Sequence, residues 1–191
     1  MTDQDTRKLI LDAAAARFTH YGYSKTTIAE IAADCDMSVG NIYRFYANKE
    51  AIAIAGVERT LTDKLEVCED AADPKASAMK QLQQYMMARL RYTYEMSCGS
   101  AHMFELVELV TQKHHDLIRK FDERVVGWIT GVLQRGMEIG ELRTMDAQRE
   151  AGSILMATTI FCIPIFMQEP LPVMEERLND LMDLLYQGLK S

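Results

Sequence analysis

Between Thr26 and Glu50 the chain reads TTIAEIAADCDMSVGNIYRFYANKE, and no other stretch restricts the fold so tightly. Thr27 stands where a helix N-cap belongs, and Glu30, three residues on, closes a capping box. Ile28, Ile31, Ala32 and Cys35 follow at the spacing of one buried helix face. Asp36 and Met37 interrupt that face. Ser38 then caps a second short helix, Val39 to about Tyr46, with Met37, Ile42 and Tyr46 turned inward, and Asn48 caps whatever comes next. Two helices this short, joined by three or four residues, make a helix-turn-helix. Its second helix fits a DNA major groove about 12 Å wide.

What flanks this stretch extends the pattern. Thr6 to Tyr21 is the preceding helix, with Ile10, Ala13, Ala14 and Phe18 as its buried stripe and Gly22 as a left-handed residue ending it. A long helix runs from Lys49 to about Asp70 and stops before Asp73-Pro74. Beyond Pro74 the pattern stays helical. Lys75 to Met96 carries Met79, Leu82, Met86 and Leu90 on one face, and Ser97 to Ser100 is a turn. Ala101 to Val110 is short and apolar, while His114 to Ile139 is long and closed by Gly140-Glu141-Leu142. Asp146 caps a helix from Ala147 to Met167, Pro170 to Pro172 turns the chain, and Val173 to Leu189 is the last helix. Only four prolines and no strand-like alternation leave an all-α class.

Charge argues against nucleic acid until position is considered. Net charge is −7, and residues 1–50 hold six Lys/Arg against seven Asp/Glu. DNA-binding domains usually carry a basic footprint. Here Asp3, Asp5 and Asp12 lie in or before the first helix, away from the proposed groove-facing surface, whereas Lys25, Arg44 and Lys49 flank or lie on it. The four cysteines are far apart with no CxxC, which favours buried thiols over disulfides. The polar, acidic start is unlike a secretory signal, and the longest apolar run, Ile154 to Met167, is broken by Ser153, two threonines and Pro164. A cytoplasmic protein with no membrane association is the expectation.

Phe18, Gly22, Tyr23, Thr26, Thr27, Ile28, Ile31, Ala32, Ser38, Gly40, Asn41, Ile42, Tyr43, Tyr46, Lys49 and Glu50 together resemble the DNA-binding domain of TetR-family (tetracycline-repressor-like) transcriptional regulators. The resemblance covers about the first fifty-five residues. It implies an N-terminal three-helix DNA-binding domain (1–48), a connecting helix (49–70), and a larger all-helical ligand-binding and dimerisation domain (71–191). It also implies roles. Thr27 and Ser38 present hydroxyls and helix N-terminal amides to phosphates. Gly40 lets the recognition helix approach the duplex, and Asn41 and Arg44 face base edges, arginine being suited to guanine. Tyr43 contacts the DNA backbone, and Lys49 binds a phosphate. Two positions depart from the family: Val39, where a basic or polar residue is common and a thymine methyl is the contact left to it, and Phe45, where histidine is common. The expected partners are a double-stranded palindromic operator, a small effector that releases it, and a second copy of the chain joined through the last two helices. Those helices, Ile154 to Met167 above all, are too apolar for a monomer's surface.

The effector is expected to be small and largely apolar. Eleven of thirteen methionines follow Pro74, and methionine lines permissive pockets. Met86, Tyr94, Met103, Phe104, Val107, Trp128, Met156 and Phe161 come from helices expected to converge in the C-terminal domain. No cofactor is expected. A metal-responsive regulator is the alternative, with Cys98 and His102 at helical spacing and His114, His115 and Asp116 nearby. Zinc wants tight Cys/His pairs, however, and Gly99-Ser100 interrupts the first pair. An enzyme is the remoter reading. Cys98 near His102, and Glu105 with Glu108, come without a phosphate loop, nucleophile elbow or HExxH.

Overall fold

The computed structural model describes residues 2–98 and 102–190, apart from the side chains of Cys98, Met103 and Ile165. Among them lie nine α-helices: α1 (Asp3–Tyr21), α2 (Ile28–Asp34), α3 (Val39–Phe45), α4 (Lys49–Ala71), α5 (Ala78–Cys98), α6 (Met103–Lys113), α7 (His115–Glu138), α8 (Ala147–Thr158) and α9 (Leu171–Leu189). Two short 3-10 turns, Thr159–Cys162 and Pro164–Phe166, separate α8 from α9. No described residue belongs to an extended strand; a single isolated bridge joins Leu142 to Lys190.

Several helix ends differ from expectation, each for a local reason. The first helix begins at Asp3, three residues early, because Thr2 and Asp5 form a reciprocal capping box. Gly22 does have a positive φ of 92°, but its ψ of 155° lies outside the left-handed helical region. Helix α5 begins at Ala78, after Ser77, whose hydroxyl accepts from the Lys80 amide at 3.2 Å. The Glu141 carboxylate accepts from the Ala78 and Met79 amides at 2.8 and 3.2 Å, so a distant residue fixes this start. Of the expected Ser97–Ser100 turn, Ser97 is still helical and Gly99-Ser100 lies outside the described residues.

The largest correction concerns α8, which stops at Thr158 and does not continue to Met167. Thr158 and Thr159 return their hydroxyls to the Ile154 and Leu155 carbonyls at 2.8 and 2.7 Å, which tightens the last turn. Pro164 then has no amide to continue the ladder. In α9 the opposite happens: Pro172 falls in the first turn, where its missing N–H is harmless, and the helix starts at Leu171.

The chain divides into two compact units. The first comprises Met1–Thr62 and Cys98–Leu117. Its core joins Ile10, Leu11, Ala14 and Phe18 of α1, Ile31 and Ala32 of α2, Ile42 of α3, Ile52 and Ala53 of α4, and Leu109 of α6, with Leu106 packed against it. Helix α6 therefore belongs with the helix-turn-helix and not with the later helices, because Leu106 and Leu109 are spent on that core. Glu105 supports the same placement by accepting the Ser24 amide at 2.7 Å. The second unit comprises Asp63–Ser97 and Ile118–Ser191. Its buried side chains include Leu82, Tyr85, Met86 and Leu90 of α5, Val125, Ile129 and Leu133 of α7, Ile154 of α8, and Leu178 and Met182 of α9. Among the described residues no helix is long and apolar enough to cross a membrane.

Candidate nucleic-acid interface

Helix α3 is held by its ends and its inward face, which leaves the rest of its surface open. At its N-terminus the Ser38 hydroxyl accepts from the Asn41 amide at 3.1 Å. Ile42 is fully buried and Tyr46, just after the last turn, nearly so. Arg7 of α1 braces the far end: it donates to the Phe45 carbonyl at 2.9 Å and its guanidinium lies over the Phe45 and Tyr46 rings at 5.6 and 5.3 Å. Phe45 thus faces the protein, half-buried against the core. A residue turned inward there reads no bases, so the missing histidine changes packing more than recognition.

The outer face carries Val39, Gly40, Tyr43 and Arg44, all exposed, with Asn41 half-buried beside them. Arg44 reaches Asn41 Oδ1 at 3.4 Å, so the two polar residues sit as one hydrogen-bonding group on one turn. Tyr43 is 52% exposed and Val39 is 38% exposed. Both are large side chains left in water on the same face of the helix. Around Gly40 there is only space: a methyl added there would meet nothing nearer than the Ser38 hydroxyl at 3.9 Å. Nothing in this chain requires glycine at that position.

Helix α2 is fixed as tightly. The Thr27 hydroxyl accepts from the Glu30 amide at 3.3 Å, and the Glu30 carboxylate accepts from the Thr27 amide at 2.8 Å. Arg17 grips the other end with two bonds to Asp34, at 2.5 and 2.8 Å, and lies 3.3 Å from Glu30. The Thr27 donors hold the Glu30 carboxyl below its ordinary range, and the Arg17 guanidinium does the same for Asp34. Both acids are thereby committed to structure. The net negative count of this segment overstates the charge that a duplex would meet. Lys25 remains exposed on the loop before α2.

Lys49 is placed differently from the phosphate-facing role that the resemblance implies. Its ammonium donates to the Tyr23, Ser24 and Thr26 carbonyls at 2.7, 3.4 and 2.8 Å and sits 4.3 Å from the Tyr23 ring centre. An ammonium has three protons to donate, and three carbonyls receive them. The lysine ties the α1–α2 loop to the start of α4. Neighbouring Glu50 takes His114 at 2.9 Å and Lys113 at 3.5 Å, so α6 is anchored to the same corner.

Sequence reasoning misses Arg7 and Arg17, and gives Glu105 only as a carboxylate paired with Glu108 and not as the acceptor of the Ser24 amide. Each acts on a partner far along the chain, and single charged residues carry no spacing signal for such pairs.

The eight positions named for an effector fall in both units. Met86 is buried, and Tyr94, Trp128 and Phe161 are buried or half-buried in the second unit. Phe104 and Val107 lie on α6 in the first unit, Phe104 49% exposed. Met156 is 80% exposed on α8, and the Met103 side chain lies outside the described residues. For metal, His102 sits 3.4 Å from Glu105 while His114 is on Glu50, and the Cys98 side chain lies outside the described residues. Among those described, no group of three or more His, Cys, Asp or Glu could hold an ion.

Comparison with known proteins gives this geometry its family. Residues 10–55 match the family described as bacterial regulatory proteins, tetR family, and residues 78–182 match the tetracyclin repressor-like C-terminal domain. An uncharacterized HTH-type transcriptional regulator of Bacillus subtilis, YhgD, is 24% identical over 98% of both chains. The fatty acid metabolism regulator protein of the same organism is 24% identical over 78% of this chain and 77% of its own. A solved TetR-family transcriptional regulator from Pectobacterium atrosepticum shares the fold, with a TM-score of 0.74 and 17% identity over 100% of this chain and 98% of that one. With both the helix-turn-helix segment and the C-terminal domain matched, the chain belongs to the TetR family of DNA-binding transcriptional regulators.

Proposed function

We propose that the protein is a repressor that binds a palindromic operator as a homodimer and is released by a small, largely apolar effector. The observation that carries the DNA reading is the outer face of α3, where Gly40 stands in open space beside exposed Val39, Tyr43 and Arg44. In this reading Arg44 and Asn41 take base edges and Val39 a thymine methyl. Tyr43, Lys25, and the amides behind Thr27 and Ser38 take phosphates. Lys49 positions the loop from behind. DNA reading falls to residues 1–48, with 49–70 connecting and the rest of the chain, except the α6 segment that packs in the first unit, serving effector binding and dimerisation.

The dimer reading rests on apolar side chains that the chain itself leaves uncovered. Met156 is 80%, Ile160 49% and Leu184 69% exposed, on α8, the turn after it, and α9. A second copy meeting these two helices about a two-fold axis would cover them. Effector control is supported by α4, one unbroken helix whose Lys49 end braces the reading head and whose later residues, Leu65 and Cys68, are buried in the second unit. A relative described as a regulator of fatty acid metabolism is consistent with an apolar effector. Effector and operator must oppose each other reciprocally: a tenfold loss of operator affinity implies a tenfold loss of effector affinity, about 1.4 kcal/mol. Selection of tight-binding duplexes from a random pool tests the whole reading. Two inverted half-sites are expected; recovery of unrelated sequences with no enriched motif rules it out.

A further inference from the structure

The second unit buries two cations that its own acids leave under-compensated. Lys64 on α4 is 7% exposed and Arg89 on α5 is 3% exposed. Lys64 donates to the Thr93 hydroxyl. Arg89 Nη1 has only the Met86 thioether at 3.6 Å, and its Nε has no hydrogen-bond partner. One turn before it on the same face, the fully buried Tyr85 hydroxyl also has none. Both cations lie 5.9 Å from the centre of the Phe121 ring, so they share one site. Asp122 is the acid that acts on both, and no ion pair within 4 Å joins it to either cation among the described residues.

Such an arrangement is costly. A buried charge without a partner, and buried donors without acceptors, each forfeit hydration with nothing in return. Burial already pulls the Lys64 ammonium below its ordinary value and raises the Tyr85 phenol. A trapped water would satisfy one donor but bring no charge. Burial disfavours the charged form of Asp122 as it does that of Lys64, so the guanidinium of Arg89 is the charge that most lacks a counter-ion, and one negative group would supply it. Its apolar neighbours are Met86 and Phe121, both buried, and Trp128, which stacks on Tyr85 at 4.0 Å. Met86, which now lends its sulfur to Arg89, is the flexible side chain able to move aside.

We propose that this site binds the carboxylate of an amphipathic monoanion, held by Arg89, Lys64 and the Tyr85 hydroxyl with its apolar tail among the surrounding side chains. The inference rests on the effector reading above and sharpens it from apolar to apolar with one acidic head. Arg89 is the main anchor, because guanidinium takes a carboxylate through two parallel bonds.

The test uses the full-length protein, with laurate as probe and dodecanol as its uncharged equal. Binding is read by Trp128 emission and by the ligand-induced rise in Tm. Laurate should bind at least about tenfold more tightly than dodecanol. Arg89→Met should abolish that preference while raising the Tm of the unliganded protein, since it removes an unmatched charge. Tyr85→Phe, which removes only the hydroxyl, should weaken laurate by about fivefold and leave dodecanol unchanged. If Arg89→Met fails to fold, Tyr85→Phe and Lys64→Met carry the test. No binding of laurate, equal binding of dodecanol to the unaltered protein, or a preference that survives these substitutions would overturn the proposal. Operator binding is measured separately. Laurate preference without operator release leaves the site standing and removes the switch, whereas release by neutral compounds alone does the reverse.

Discussion

At the residue scale, Gly40 and Lys49 separate what the chain needs for itself from what DNA needs of it. Gly40 has ordinary helical geometry, and a Cβ added there would meet nothing nearer than the Ser38 hydroxyl at 3.9 Å outside the helix's own backbone, so Gly40→Ala should raise stability by up to about 1 kcal/mol through helix propensity. The same methyl would stand between α3 and the duplex, and operator affinity should fall. A parallel gain in stability and affinity would show that the face is not a DNA surface. For Lys49, three carbonyl partners predict a loss by a different route from a phosphate contact. Lys49→Met should destabilise the protein by about 1 kcal/mol and weaken all duplexes alike. The slope of log affinity against log salt should stay unchanged. A slope shallower by one or two per dimer would instead place the ammonium on phosphate. Arg44→Ala should relax sequence preference at one position in each half-site. The short helix that carries these residues was legible because α3 is local, its cap and stripe being spaced along eight residues. The seat of the Lys49 ammonium was not, because its partners, Tyr23 to Thr26, are more than twenty residues back.

At the element scale, caps explain both what was legible and what was not. Thr27 with Glu30, Ser38, Asn48 and Asp146 are short-range signals, and each does cap its helix. The start of α5 was illegible because Glu141, 63 residues away, supplies its cap. The end of α8 was overrun because an apolar run looks helical regardless of threonine back-bonding. The same short contacts give a pH dependence. Glu30, Asp34, Glu50 and Glu105 all have their carboxyls held below ordinary values by donors in the folded first unit. For Glu105 the leading donor is the Ser24 amide. Carboxyls lowered in this way stabilise the fold above their unfolded values, and that contribution is lost as pH falls through the folded ones. Stability of the first unit, and operator binding with it, should therefore decline below about pH 4.5, the ordinary value of a glutamate. Asp34→Asn should flatten that decline; an unchanged acid profile would mean that the Arg17 contact contributes nothing. Thr27→Ala, by removing the cap, should cost about 1 kcal/mol by urea denaturation.

At the scale of the whole molecule, the central claim is two-fold symmetry. The sequence revealed the all-α class and the helix-turn-helix, because both follow from periodicity and caps. It did not reveal that α6 joins the first unit, since Leu106 and Leu109 look the same whichever core receives them. Nor did it single out Lys64 and Arg89, whose burial depends on tertiary packing. The dimer prediction follows from the side chains left outside. Leu184 is 69% exposed, so Leu184→Glu spares the chain's own core and should give folded monomers by analytical ultracentrifugation. Monomers should lose operator affinity at every salt concentration, since each half-site alone supplies only part of the binding energy. Persistent dimers would move the interface elsewhere. The most direct measurement is the affinity of the unaltered protein for its selected operator with the half-site spacing lengthened by about half a helical turn, roughly five base pairs. If one rigid dimer reads both half-sites, affinity should collapse to that of a single half-site. Undiminished affinity for the lengthened duplex, or for one half-site alone, would contradict a symmetric dimer as the DNA-reading species.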